Sequence, residues 1–201
     1  MISDEDFQRE WKDLQLDELW IYNKLQLSSL LAYNCGPVGI DVPNPGWYIV
    51  RPPINLQGLG LGAKKVWIEK ETYDLEIGHF WCEWFEGRHH SVDYEKGKWI
   101  RTTTGDQFKT DLTKWSKWYK IDHVIPFPSM ISQFKNKSSV NCEFIGDKLI
   151  EVHLRKNPDF HYNNNVFIPV WEGDHIDPPD GHRYVECPDV NGRIGAYVDI
   201  T

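Results

Sequence analysis

Cysteine is scarce and scattered in this 201-residue chain: Cys35, Cys82, Cys142 and Cys187 stand apart, with no CxxC pair. That spacing excludes a zinc ribbon and argues against a small disulfide-stapled scaffold. Long apolar runs are also missing. None approaches membrane-spanning length, and Met1 to Glu10 is acidic and polar rather than signal-like. Positive charge is in the minority: 22 Lys and Arg against 30 Asp and Glu give a net charge of −8, which disfavours nucleic acid and anionic membranes as partners. No internal repeat or low-complexity tract interrupts the chain, and no serine sits in a nucleophile elbow. These absences point to a reduced, cytoplasmic protein built as one compact unit.

Aromatic residues are abundant, with ten Trp, nine Tyr and nine Phe, and core packing accounts for most of them. Lys109 to Lys120 interleaves lysines with Trp115, Trp118 and Tyr119. It reads either as a single-strand-binding stripe or as an amphipathic surface segment, and Asp111 and Asp122 favour the second.

Helical spacing predicts one helix from Ser3 or Asp4 onward and a second over 17–32, ending before the turn Asn34-Cys35-Gly36-Pro37. The β-branched and aromatic run Tyr48-Ile49-Val50 is a strand closed by Pro52 and Pro53, and Lys65 to Ile68 is a second. Between them Gly58, Gly60 and Gly62 alternate with Leu59 and Leu61. Such a loop brings backbone N–H groups close to a phosphate, or simply makes a tight hairpin. Phe80 to Tyr94 reads as two strands joined through Glu86-Gly87, and Lys98 to Thr103 as another after the turn Lys96-Gly97. Pro128 to Phe134 is helical. Asn141 to Ile145 and Leu149 to Leu154 form a hairpin turned by Gly146-Asp147, and short strands follow at Val166 to Trp171 and Ile194 to Ile200.

Four elements in order suggest a nucleotide site: a helix cation (Lys24), a strand cation before the glycine loop (Arg51), an aromatic and acidic strand (Cys82 to Asp93), and a late hairpin carrying Glu143 and Glu151. Cations suit phosphates, an apolar hinge suits a purine, and carboxylates suit magnesium. Glu151, His153 and Arg155 alternate along one strand face, so they form either part of a site or a salt-bridge ladder. His89 and His90, being adjacent on a strand, point to opposite faces and cannot chelate one ion.

The set resembles the ATP-grasp carboxylate–amine ligases over about residues 20 to 160. Asn23-Lys24-Leu25 is similar to the family's DKL element, Val50-Arg51-Pro52 to its strand KP, and Gly58 to Gly62 to its phosphate-covering loop. Cys82 to Tyr94 resembles the hinge strand. Asn141 to Phe160 resembles the paired metal strands.

The resemblance implies an α+β fold of two small lobes with antiparallel sheets clasping a nucleotide, in a single domain. Its parts are a helical region (1–46), a glycine-loop lobe (47–95) and a metal-strand lobe with tail (96–201), without a separate N-terminal substrate domain. It implies that Lys24, Arg51, Gly58, Gly60 and Gly62 hold the phosphates of ATP, that Glu83, Trp84 and Phe85 line the adenine, and that His89 takes the ribose position. Glu143, Glu151 and His153 would carry Mg, and Arg155 would act catalytically on the acyl-phosphate. Arg51, His89 and His153 each replace a common family residue. The implied activity is ATP- and Mg-dependent ligation of a small-molecule or peptide carboxylate to an amine. A second subunit could complete the site. The alternative is a non-catalytic binding module on the same scaffold. A chain pared down in this way suits a phage genome.

Overall fold

Asn23 divides the helix that the sequence predicts over 17–32. Leu16–Tyr22 is a 3-10 helix and Lys24–Leu30 is a separate α-helix, α1. The cause is local. Asn23 is extended (φ −89°, ψ 100°), and its side chain accepts from the Gln26 amide, as a helix N-cap does. Lys24 is thereby placed at the first position of α1. The computed structural model describes residues 14–54, 60–108, 111–161, 163–189 and 191–200, so most of the helix expected from Ser3 lies outside the described residues.

Two antiparallel sheets make up the rest. The smaller has four strands, β1 (Cys35–Pro37), β2 (Gly46–Arg51), β3 (Lys64–Ile68) and β4 (Phe80–Glu83), in the order β1-β4-β2-β3. The larger has eight: β5 (His89–Glu95), β6 (Lys98–Gln107), β7 (Trp115–Ile121), β8 (Val140–Ile145), β9 (Lys148–His153), β10 (Val166–Trp171), β11 (His182–Glu186) and β12 (Arg193–Asp199). Their order is β11-β12-β10-β7-β6-β5-β8-β9. The β2–β3 pair either side of the glycine loop and the β8–β9 hairpin at Gly146-Asp147 follow the sequence expectation.

Two differences matter. The two strands read from Phe80 to Tyr94 do not pair with each other: β4 joins the smaller sheet and β5 the larger, so Glu86-Gly87 lies on the crossing between sheets. Gly87 is required there. Its φ is +135°, and an added Cβ would stand 2.8 Å from the Gly146 amide nitrogen. The lysine and tryptophan segment after Asp111 is β7, inside the larger sheet between β6 and β10. Trp118 is buried, while Lys114 lies over the Trp171 ring and Lys117 over the Tyr119 ring. Its lysines obscured a strand because their stems cover aromatic faces.

The main core gathers Ile21, Leu27, Val92, Tyr94, Phe134 and Val152 between the larger sheet and the helical segments. A second core forms around Phe160, Phe167 and Val198, and a third beneath the smaller sheet around Tyr48, Val50 and Trp81. Helix α1 contacts β1, β4 and β9, which sets it across the junction of the two sheets. Among the described residues no helix is long and apolar enough to cross a membrane.

Candidate functional site at the junction of the sheets

β8 and β9 pair so that Glu143 and Glu151 face each other directly, with side chains on the same face of the sheet. Two like charges so close need countercharges, and different elements supply them. Lys24 reaches from α1 to place Nζ 2.9 Å from Glu151 Oε1, with both side chains buried. His153, two residues along β9, places Nε2 3.2 Å from the same oxygen. From β5, His89 Nε2 lies 3.1 Å from Glu143 Oε2.

Burial alone would raise both carboxylates. At Glu151 the Lys24 charge and the His153 hydrogen bond outweigh it and hold the group well below the usual range. At Glu143 the His89 hydrogen bond and charge bring a smaller drop. Both are therefore anions at neutral pH.

Arg51, at the end of β2, faces the same pair. It donates Nη2 to the Ile150 carbonyl (3.3 Å) and lies 5.6 Å from the Phe80 ring centroid, while its buried Nε has no hydrogen-bond partner. The Lys24 amide donates to the Pro53 carbonyl (2.7 Å), tying the start of α1 to the end of β2. Two cations thus converge on two carboxylates because one helix start and one strand end are fastened together.

Arg51, Gly60, Glu83, Trp84, Phe85, His89, Glu143, Glu151, His153 and Arg155 line one cleft; Lys24 is buried against Glu151 and is not among the residues on its wall. Gly60 (φ +65°) packs so near the Leu112 carbonyl that an added Cβ would lie 3.1 Å from that oxygen, so the glycine loop leans on the segment beyond β6. Gly62 instead abuts Pro52, and Gly58 lies outside the described residues. The Glu83 carboxylate accepts from the Asn34 amide (3.0 Å) and side chain (3.2 Å), fixing the end of β4. Trp84 carries Lys65 Nζ 4.1 Å from its ring centroid, and Phe85 meets Tyr33 edge-on at 4.7 Å. His89 also packs against Trp115 (4.8 Å) and Trp118 (5.4 Å). Arg155 donates Nη1 to the Lys156 carbonyl (3.1 Å). Among the described residues no group of three or more His, Cys, Asp or Glu side chains is set to hold a metal ion.

Beneath the carboxylate pair lies a polar network whose closure sequence reasoning missed. Asn141 donates to Ser91 Oγ and to Asp93 Oδ1, both at 2.8 Å. Asn157 adds its amide to Asp93 (2.9 Å) and its side chain to Ser91 (3.1 Å). Arg101 closes it on Asp93 Oδ2 at 2.6 Å. The alternation of His89, Ser91 and Asp93 was a usable signal. The partners were not, because they come from β6, β8 and the segment after β9.

No protein-family profile and no curated protein matches the sequence. Comparison with solved structures does find relatives in shape. ATP-grasp proteins are among the structural neighbours of this chain. An ATP-grasp superfamily protein from Archaeoglobus fulgidus aligns with a TM-score of 0.48 at 12% identity, over 91% of this chain and 65% of its own. An L-amino acid ligase from Bacillus licheniformis aligns at 0.46 and 12%, over 69% of this chain and 41% of its own. The ATP-grasp ligase PsnB, in complex with a phosphomimetic variant of its minimal precursor, Mg and ADP, aligns at 0.44 and 15%, over 72% of this chain and 52% of its own. The chain spans less than two thirds of the length of each of these three proteins.

Proposed function

We propose that the cleft binds ATP with magnesium and that the protein ligates a carboxylate, small-molecule or peptide, to an amine through an acyl-phosphate. The observation that carries this reading is the Lys24–Glu151 pair beside Arg51. Glu151 lies in the cleft wall with Lys24 paired to it from behind the lining, and such a pair can exchange partners without a net change of charge: the ammonium turns to a phosphate and the carboxylate to a divalent cation. The unpaired Nε of Arg51 is a buried donor lacking an acceptor, a need that a phosphate oxygen would meet.

Magnesium suits Glu143 and Glu151, which are ionised hard-oxygen donors, and does not suit the His153 imidazole, whose Nε2 is turned to Glu151. Magnesium in nucleotide sites is usually held by one or two carboxylates together with the phosphates, so a ready-made protein cage is not required. When bound it supplies countercharge to the transferring phosphoryl group. This chain's residues do the rest. Lys24 and Arg51 hold phosphate oxygens, Trp84 and Phe85 flank the base, Gly60 keeps the loop close over the phosphates, and His89 holds Glu143 in place. Arg155 faces the acyl group's developing charge.

Calorimetric titration of ATP with and without magnesium tests this. The expected result is magnesium-dependent binding that Glu151→Ala abolishes and that Arg51→Ala weakens roughly ten- to hundredfold, the range for a lost charge-assisted hydrogen bond. Absence of binding at millimolar ATP would refute it. A second reading, a binding module without chemistry, is favoured by the imidazoles that occupy both carboxylates. It would appear as ATP binding indifferent to magnesium, with no turnover.

A further inference from the structure

β1 and β4 align Cys35 directly opposite Cys82. The hydrogen bonds on either side identify the kind of pair. The Glu83 amide donates to the Asn34 carbonyl, and the Val38 amide to the His79 carbonyl. The bonded positions are therefore 34 with 83 and 38 with 79, and alternation along an antiparallel ladder makes 35 with 82 a non-hydrogen-bonded pair. Such pairs bring their Cα atoms to about 4.5 Å with side chains on one face, inside the roughly 4.4–6.8 Å window that a disulfide spans. Both thiols are free.

We propose that Cys35 and Cys82 are a thiol–disulfide redox site that takes low-molecular-weight disulfides as oxidant. The two cysteines differ in access, which assigns the roles. Cys35 is partly exposed and lines a shallow surface hollow beside α1 with Asn23, Gln26 and Ser29. Cys82 is 2% exposed and lines the cleft, with Ser28 of α1 hydrogen-bonded to its sulfur. Cys35, as thiolate, attacks one sulfur of the oxidant and displaces the other half as a thiolate, leaving a mixed disulfide. Cys82 loses its proton, attacks Cys35 Sγ and expels the second half. Two protein thiols are oxidised to one disulfide, and one oxidant disulfide is reduced to two thiols. Burial pushes the Cys35 thiol up and the Cys82 thiol up to about 12, so exchange is slow and accelerates with pH. The bridge ties β1 to β4 one residue before Glu83. The remaining cysteines are poor competitors: Cys142 and Cys187 are both buried and sit on other strands or loops.

The test uses the full chain, reduced and then equilibrated in glutathione buffers from reducing to oxidising, acid-quenched, alkylated and mapped by mass spectrometry. The expected result is loss of two of the four free thiols, with Cys35 and Cys82 in one linked peptide pair lighter by two hydrogens. Cys142 and Cys187 should be alkylated only after unfolding. Cys82→Ser should stop at glutathione on Cys35, and Cys35→Ser should leave Cys82 unmodified. The proposal is overturned if the wild-type chain keeps both thiols free in the most oxidising buffer, stops at the mixed disulfide, or bridges a different pair. Peptide mapping of the wild-type protein decides the matter even if a variant fails to fold.

Discussion

Glu143 and Glu151 stand opposite each other across β8 and β9, yet each is partnered from a different part of the fold: Glu143 by His89 of β5 at 3.1 Å, Glu151 by Lys24 of α1 at 2.9 Å. Removing one partner strands a buried charge, which is more damaging than removing the pair.

Stability follows from that asymmetry. Glu151→Ala leaves Lys24 buried beside Arg51 and should cost about 3–5 kcal/mol in urea unfolding. The double variant Lys24→Met with Glu151→Leu should recover most of it. A double variant as unstable as the sum of its singles would show that the pair is not coupled.

Acid should unfold the protein through the same carboxylates. Their folded values are depressed, so their contribution is complete above the unfolded Glu value of about 4.3 and is lost as pH falls through the folded values. The melting temperature should drop progressively as pH falls below about 5, and the drop should continue through the depressed folded values. Glu143→Gln with Glu151→Gln should flatten that drop. An unchanged slope would place the acid sensitivity elsewhere.

The network around Asp93 is closed, so opening it should be costly. Asn141→Ala withdraws donors from Ser91 and Asp93 and should cost about 1–3 kcal/mol by thermal unfolding. Asp93→Ala strips a side chain only 1% exposed from Arg101 and should cost about 3–5 kcal/mol. Equal effects of the two would argue against the charge on Asp93 carrying the larger share.

Gly87 should be less replaceable than other left-handed glycines. Gly173 also has positive φ (+90°) but open space around it, whereas a Cβ on Gly87 meets backbone at 2.8 Å. Gly87→Ala should cost about 1–3 kcal/mol more than Gly173→Ala, since the crossing between sheets must shift. Comparable melting temperatures for the two variants would remove Gly87 from that role.

By itself, the sequence determined what depends on neighbours along the chain. β-branched and aromatic composition marked β2, the Gly146-Asp147 turn set the β8–β9 hairpin, and period two put Glu151 and His153 on one face, with β9 ending before Arg155. The same locality explains the error over 17–32, where a side-chain cap at Asn23 outweighed helical spacing. β7 was hidden because lysines break up its aromatic run: Lys117 lies over Tyr119 two residues along the same strand, and Lys114, just before the strand, lies over Trp171 of β10. Only the tertiary structure decided which sheet β4 and β5 would each join, that Cys35 would meet Cys82, and that Lys24 would answer Glu151. Those are pairings between residues far apart in the chain, selected by burial of shared faces and by the cost of leaving a desolvated charge without its opposite.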